Sequence, residues 1–252
     1  MPALLSLQEV GYDVGGRTVL EGITLEVDKG EILGVLGLSG SGKTTLLRVI
    51  MGLVRPSRGR LILFGEEATH LPEAAFDRLR MRMGLVFQYA ALFDSLTVED
   101  NVAFPLREHR RLSGARLRAR VDELLALVGM EGTNRLYPAQ LSGGMRKRVG
   151  IARALALGPE LMLYDEPSSG LDPLTAAMID DLIVHLRDAV GVASVVVSHH
   201  VPNVLRIAGA LGVLDEGRLV FRGTPSEARS AQVPIVQALL KVGAEAAVVQ
   251  GC

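Results

Sequence analysis

The sequence predicts an α/β fold: helices packed on a parallel sheet, a small antiparallel β-subdomain near the start, and an α-helical subdomain inserted in the middle. Three observations carry this. The runs "EILGVLG", "ELMLYDEP", "VASVVVSHH" and "ALGVLDEG" are short and apolar, and helical patterns separate them, as in a sheet buried on both faces. By contrast, "LLSLQEV" and "ITLEVDKG" alternate apolar and polar residues, the pattern of strands with one wet face. From about Leu96 to Leu157 helical periodicity dominates, as in "RLRARVDELLALVG", where arginines take the outer face.

In chain order, the two alternating strands come first. The buried strand "EILGVLG" then ends in a glycine and leads into "KTTLLRVIMGL", whose spacing turns Leu46, Leu47 and Ile50 inward. "GRLILFG" and "MGLVFQ" are two further strands, followed by the helical insertion. "ELMLYDEP" returns to the sheet, "LTAAMIDDLIVHLRDAV" is a helix, and "VASVVVSHH" and "ALGVLDEG" complete the set. This reading makes 1–252 a single domain. Its core is 1–88 with 158–230, its helical subdomain is 89–157, and 231–252 is a C-terminal helix and tail. The last ten residues, "GAEAAVVQGC", are expected to be weakly ordered.

Composition narrows the function classes. With 252 residues the chain can bury a large core. A net charge of −1, 4% aromatics and no Trp leave neither a positive field nor a stacking platform for nucleic acid. The only cysteine is Cys252, so no internal disulfide is expected, which fits a reducing compartment. Mean hydropathy is +0.30, high enough to raise the question of a membrane. The longest charge-free run, 189–205, is broken by two histidines, an Asn and a Pro. A spanning helix needs about 20 mostly apolar residues, so this run reads as a buried strand and a loop. The first residues lack the charged start and apolar centre of a secretory leader. So apolar a chain with no span is expected to dock on a partner. Its only lysines are Lys29, Lys43, Lys147 and Lys241, so a lysine inside a motif stands out.

The chemistry begins at "GLSGSGKT", Gly37 to Thr44, which fits G-x-x-x-x-G-K-[ST] between a predicted strand and a predicted helix. Gly37, Gly40 and Gly42, with Ser39 and Ser41 between them, let backbone N–H groups curl around phosphate oxygens. The helix N-terminus adds partial positive charge. Lys43 is expected to reach the β and γ phosphates, Thr44 to bind Mg²⁺, and Thr45 to lie near the α phosphate. The competing reading is a glycine-rich turn without a ligand, and the strand–loop–helix context argues against it. "LMLYDE" ends a second strand in two acids: Asp165 is expected to hold the metal and Glu166 to polarise the attacking water. Taken alone these two would be a solvated acid pair; beside a phosphate loop they describe a P-loop NTPase. A third motif is "LSGGMRKR", 141–148. Two adjacent glycines each cost roughly 1 kcal/mol inside a helix. Ser142, Gly143 and Gly144 therefore read as a second anion site at a helix N-terminus.

With that motif the chain resembles the ABC ATPase family over nearly its whole length, and the core becomes a RecA-like P-loop nucleotide-binding core. The resemblance implies ATP and Mg²⁺ as cofactors. It also implies a head-to-tail dimer of two copies, in which Ser142, Gly143 and Gly144 of one copy close on the ATP held by the other. It implies Tyr12 against the adenine, Gln88 as a sensor of Mg²⁺ and of the membrane partner, His199 on the γ phosphate, and Asp172 of "SSGLD" at the dimer interface. Each has a plainer reading: a strand aromatic, a solvated amide, a satisfied core histidine and a helix N-cap. Met145 and His200 depart from the family's usual Gln and Asp.

The stretch "FQYAALFDSLTVEDNVAFPLREHRRL", with "LSGGM" and "VVVSHHVP", is similar to the ATPases of Mla/Mce-type lipid transporters. That implies permease subunits, an MCE lipid-binding protein, in some members a STAS-domain protein, and a place on the cytoplasmic face of the bacterial inner membrane. Two alternatives stand beside phospholipid transport. One is an importer of small polar solutes, in which the same stretch is similar. The other, more remote, is a soluble ABC ATPase without a transport role, against which the chain has neither a fused second cassette nor a basic stripe. Just after Gln88, Ala90, Ala91, Leu92, Phe93 and Leu96 are expected to be exposed and to receive the permease's coupling helix.

Overall fold

The computed structural model describes residues 3–109 and 111–249. Strands β1 (Leu5–Val14) and β2 (Arg17–Val27) form an antiparallel pair. Strand β3 (Ile32–Leu36) is fully buried and feeds helix α1 (Lys43–Ile50). Next come β4 (Arg58–Leu63), β5 (Glu66–Glu67), α2 (Glu73–Arg80) and β6 (Met83–Val86). The insertion contributes α3 (Val98–Glu108), α4 (Gly114–Leu127) and α5 (Gly143–Leu155). The remainder runs β7 (Leu161–Asp165), α6 (Pro173–Val190), β8 (Ala193–Ser198), α7 (Val201–Ile207), β9 (Ala210–Asp215), β10 (Arg218–Gly223), α8 (Pro225–Ser230) and α9 (Pro234–Val249).

Two sheets result, ordered β2-β1-β4-β5 and β10-β9-β3-β8-β7-β6. The first is antiparallel. The second is parallel from β9 to β6, with β10 added antiparallel at its edge. The period of two places alternate residues of the parallel strands in different cores. Leu161 and Leu163 of β7, with Val195 and Val197 of β8, join a core shared with α1 and the antiparallel sheet. Met162, Tyr164 and Val196 face the opposite core, made by α3, α4, α5 and α6. Helix α1 thus lies between the two sheets.

Parallel pairing brings the C-terminal ends of the central strands level. Leu36 pairs with Ser198, Asp165 with Val197, and Val86 with Tyr164. The loops leaving β3, β6, β7 and β8 therefore open on one edge, where ligands of open α/β sheets bind.

Several elements exceed what periodicity shows. β5 has two residues and α2 only eight, too few for a repeat to declare itself. At the C-terminus α9 continues through Val249. A Cβ placed on Gly243 would come 2.8 Å from Val201 Cβ, so this glycine lets α9 lie close against α7. Of the tail expected to be weakly ordered, residues 250–252 lie outside the described residues.

One buried polar side chain organises the entry to the insertion. Asn101 is fully buried; its Oδ1 accepts from Phe93 N at 2.8 Å, and its Nδ2 donates to the carbonyls of Phe93, Leu96 and Thr97. Asn101→Ala leaves those groups unpaired, at about 1–3 kcal/mol for each that stays buried. The variant is expected to melt several degrees below wild type in a thermal scan; an unchanged Tm would show that the loop 93–97 is held by other contacts.

Candidate active site

The loop from β3 to α1 is shaped by its glycines. A Cβ on Gly37 would stand 2.3 Å from Leu214 O and 2.5 Å from Ser41 Oγ, so no side chain fits. Gly40 (φ +82) and Gly42 (φ +105) take the left-handed backbone, and Gly42 is the N-cap of α1. Lys43 is buried. Its Nζ donates to the carbonyls of Gly37 at 2.8 Å and Leu38 at 2.9 Å, closing the loop over itself. Burial pushes the Lys43 ammonium below its ordinary pKa, opposed by the carboxylates of Glu166 and Asp165.

A cavity of about 740 Å³ opens here. Ser39, Gly40, Gly42, Lys43, Thr44 and Thr45 line it together with Gln88, Asp165, Glu166 and His199. Four separate stretches of the chain thus converge on one space. Inside the loop the Ser41 hydroxyl is buried without a hydrogen-bond partner. An orphan hydroxyl, an ammonium and a helix N-terminus together fit a phosphate chain. Thr44 Oγ1 donates to Asp165 Oδ1 at 3.2 Å, so a hydroxyl and a carboxylate stand together, the hard oxygen ligands that Mg²⁺ takes beside phosphate. Burial raises the Asp165 pKa, while the Thr44 hydrogen bond opposes that shift.

Glu166 follows β7 in a left-handed conformation, φ +49, rare for a residue with a Cβ. Its Oε2 accepts from Ser198 Oγ at 3.0 Å, and its Oε1 lies 2.8 Å from His199 Nδ1. An ionised carboxylate only accepts, so Nδ1 then carries the proton. The backbone is held as firmly: Glu166 N donates to Val197 O at 3.0 Å, and Glu166 O accepts from Ser169 N and from Lys147 Nζ, each at 3.2 Å. Lys147 Nζ also donates to Gln88 O. Burial pulls the Lys147 pKa down to about 8, against the pull of Glu166 and then Asp165.

Ser142, Gly143, Gly144 and Asp172 do not line this cavity. Ser142 is the N-cap of α5, its Oγ accepting from Met145 N at 3.2 Å, and Asp172 is the N-cap of α6, accepting from Thr175 N at 3.0 Å. The paired glycines have a reason within the chain as well. A Cβ on Gly144 would meet Thr175 Cγ2 at 2.4 Å, and one on Gly143 would meet Leu171 Cδ2 at 3.1 Å. Met145 packs on the core beneath the insertion. Tyr12, on β1 opposite Leu20, is half-buried against the first core and stands outside the cavity lining. Ile235, Ala238, Leu239 and Val242 of α9 do line it, with Leu38 and Val19. No motif marks them, because only the fold brings α9 there.

The segment after Gln88 departs from expectation. Ala90 is buried, and Gly150 of α5 approaches so closely that a Cβ there would sit 3.2 Å from Ala90 Cβ. Leu92 packs on the helical-subdomain core. Both serve packing between loop and helix, whereas Phe93 is 43% exposed, 4.9 Å from the exposed ring of Phe104 between centroids, and Leu96 is half-buried. The neighbouring Phe87 and Tyr89, outside the expected set, are exposed as well.

Comparison with known proteins agrees with this geometry. A family model described as ABC transporter matches residues 20–169. The intermembrane phospholipid transport system ATP-binding protein MlaF of Escherichia coli (strain K12) is 40% identical over 237 residues, covering 94% of this chain and 88% of that protein. The methionine import ATP-binding protein MetN of Caulobacter vibrioides is 44% identical over 226 residues, 89% of this chain and 68% of that protein. Among solved structures, the dimeric post-hydrolysis state of the ATP-binding cassette MJ0796 bound to ADP and Pi superposes with a TM-score of 0.79 at 32% identity, covering 88% of this chain and 98% of that one. The chain thus belongs to the ABC transporter family as an ATP-binding subunit, an ATP-hydrolysing cassette.

Proposed function

We propose that this subunit drives phospholipid transport across the bacterial envelope. The observation that carries the reading is the near end-to-end match to MlaF, 94% of one chain and 88% of the other. The MetN match supports the second reading, an importer of small polar solutes, with less of the relative covered. In the first reading the partners are two permease subunits, an MCE lipid-binding protein and, in some systems, a STAS-domain protein. The chain then sits on the cytoplasmic face of the inner membrane. No helix among the described residues is long and apolar enough to cross a membrane. Purification of the tagged chain from detergent-solubilised membranes is expected to bring down a permease and an MCE protein with phospholipid. Recovery of a solute-binding protein in their place would favour the second reading.

Within the site, the loop 37–44 and Thr45 bind the phosphates, Lys43 leaves the Gly37 and Leu38 carbonyls for the β and γ phosphates, and Tyr12 meets the adenine. Thr44, Asp165 and Gln88 hold Mg²⁺, which when bound neutralises charge developing on the phosphates. Glu166 takes the proton of the attacking water. His199 orients Glu166 through Nδ1, and with its ring protonated it donates from Nε2 to the γ phosphate. Ser142, Gly143 and Gly144 of a second copy close the site, with Asp172 at the junction.

Exposed Phe87, Tyr89, Phe93 and Phe104 form the face that receives the permease. Phe93→Ser and Leu96→Ser are expected to leave the Tm and the ATPase rate of the isolated chain near wild type, and to lose permease in a pull-down. Intact pull-down with normal transport would sink the docking reading, and a collapsed Tm would return these residues to the core.

A further inference from the structure

We infer that Lys147 is a positioning residue for ATP hydrolysis, tying the backbones of Gln88 and Glu166 to the helix that begins at Ser142. The inference rests on the reading of Glu166 as the base. Lys147 is one of four lysines in the chain and is 5% exposed. A buried ammonium is costly unless hydrogen-bonded, and here its bonds go to carbonyls of two different loops: Gln88 O, two residues past β6, and Glu166 O, one past β7. Its own backbone lies in α5, five residues after the N-cap Ser142. One side chain thereby joins the loop of the metal-side amide, the peptide of the base and the helix expected to meet the second copy's ATP.

The bond to Glu166 O matters because that residue is left-handed at φ +49. Such a conformation persists only where its surroundings hold it. The peptide is fixed by Val197 O, Ser169 N and Lys147 Nζ; of these only Lys147 comes from the helical subdomain. A small displacement of α5 therefore moves the backbone that aims the Glu166 carboxylate. A misplacement of about 1 Å can cost about 100-fold in rate. Closure on ATP would thus be conveyed to the base through one ammonium.

The test compares Lys147→Met, Lys147→Arg, Lys147→Gln and Glu166→Gln in the full chain, measuring kcat and KM for ATP, binding of a fluorescent ATP analogue, and Tm. Lys147→Met removes the donors and keeps the length. It is expected to lower kcat by about 10–100-fold, with KM and analogue affinity close to wild type. Lys147→Arg or Lys147→Gln, each still a donor, is expected to recover part of kcat. A Lys147→Met chain with wild-type kcat beside an inactive Glu166→Gln chain overturns the inference alone. Equal losses of kcat, analogue binding and Tm in all three Lys147 variants overturn it in favour of a packing role. An active Glu166→Gln chain overturns the reading of Glu166 beneath it, and the inference with it.

Discussion

Glu166→Gln is expected to bind ATP and hydrolyse it about 10²–10⁴-fold more slowly, the range over which a general base acts. The substitution is nearly isosteric. The amide oxygen can still accept from Ser198 Oγ, now 3.0 Å away, or face His199 Nδ1, now at 2.8 Å. The left-handed backbone and its bond to Val197 O do not depend on the carboxylate. Only the ability to take a proton is lost. In the proposed reading ATP closes the dimer and hydrolysis opens it, so the variant should accumulate as an ATP-bound dimer in size-exclusion chromatography. Turnover near the wild-type rate would show that another group activates the water.

Lys43→Ala is expected to abolish ATP binding rather than turnover of bound ATP. Its ammonium, held by the carbonyls of Gly37 and Leu38, is the only lysine or arginine head group among the described residues lining the cavity. Loss of an equally buried charge-assisted contact commonly costs several kcal/mol. Paired with Ser142→Arg, the same variant tests whether the site is shared between copies. Each chain is expected to be inactive alone, since one cannot hold ATP and the other cannot close on it. Mixed, they form a heterodimer in which the intact loop of the Ser142→Arg chain faces the intact Ser142 of the Lys43→Ala chain, and a fraction of the rate should return. A proven heterodimer with no recovered rate would mean that the shared site is absent or that both sites must be intact.

The order of elements and the phosphate loop are legible in the sequence because each is encoded by neighbours along the chain. "GLSGSGKT" needs only its own backbone and the adjoining strand and helix, and the N-caps Ser142 and Asp172 bond to N–H groups three residues on. Where the sequence points to a residue without knowing its surroundings, the structure redirects it. Ala90, expected at a docking surface, is buried against α5, and Phe104, sixteen positions from Gln88 and outside the set expected to dock, joins Phe93 at the surface.

The sequence alone determined the α/β class, the phosphate loop, the acid pair 165–166 and the ABC family, since each depends on residue type at fixed local spacing. Only the tertiary structure decided that Lys147 joins Gln88 to Glu166, that Glu166 is held left-handed beside His199, that α9 walls the cavity, and that Tyr12 packs on the first core outside the cavity lining. Those facts depend on the register of four parallel strands and on how α5 and α9 pack against them. Such packing is chosen by the joint burial of residues far apart in the chain, and no local pattern of residues records it.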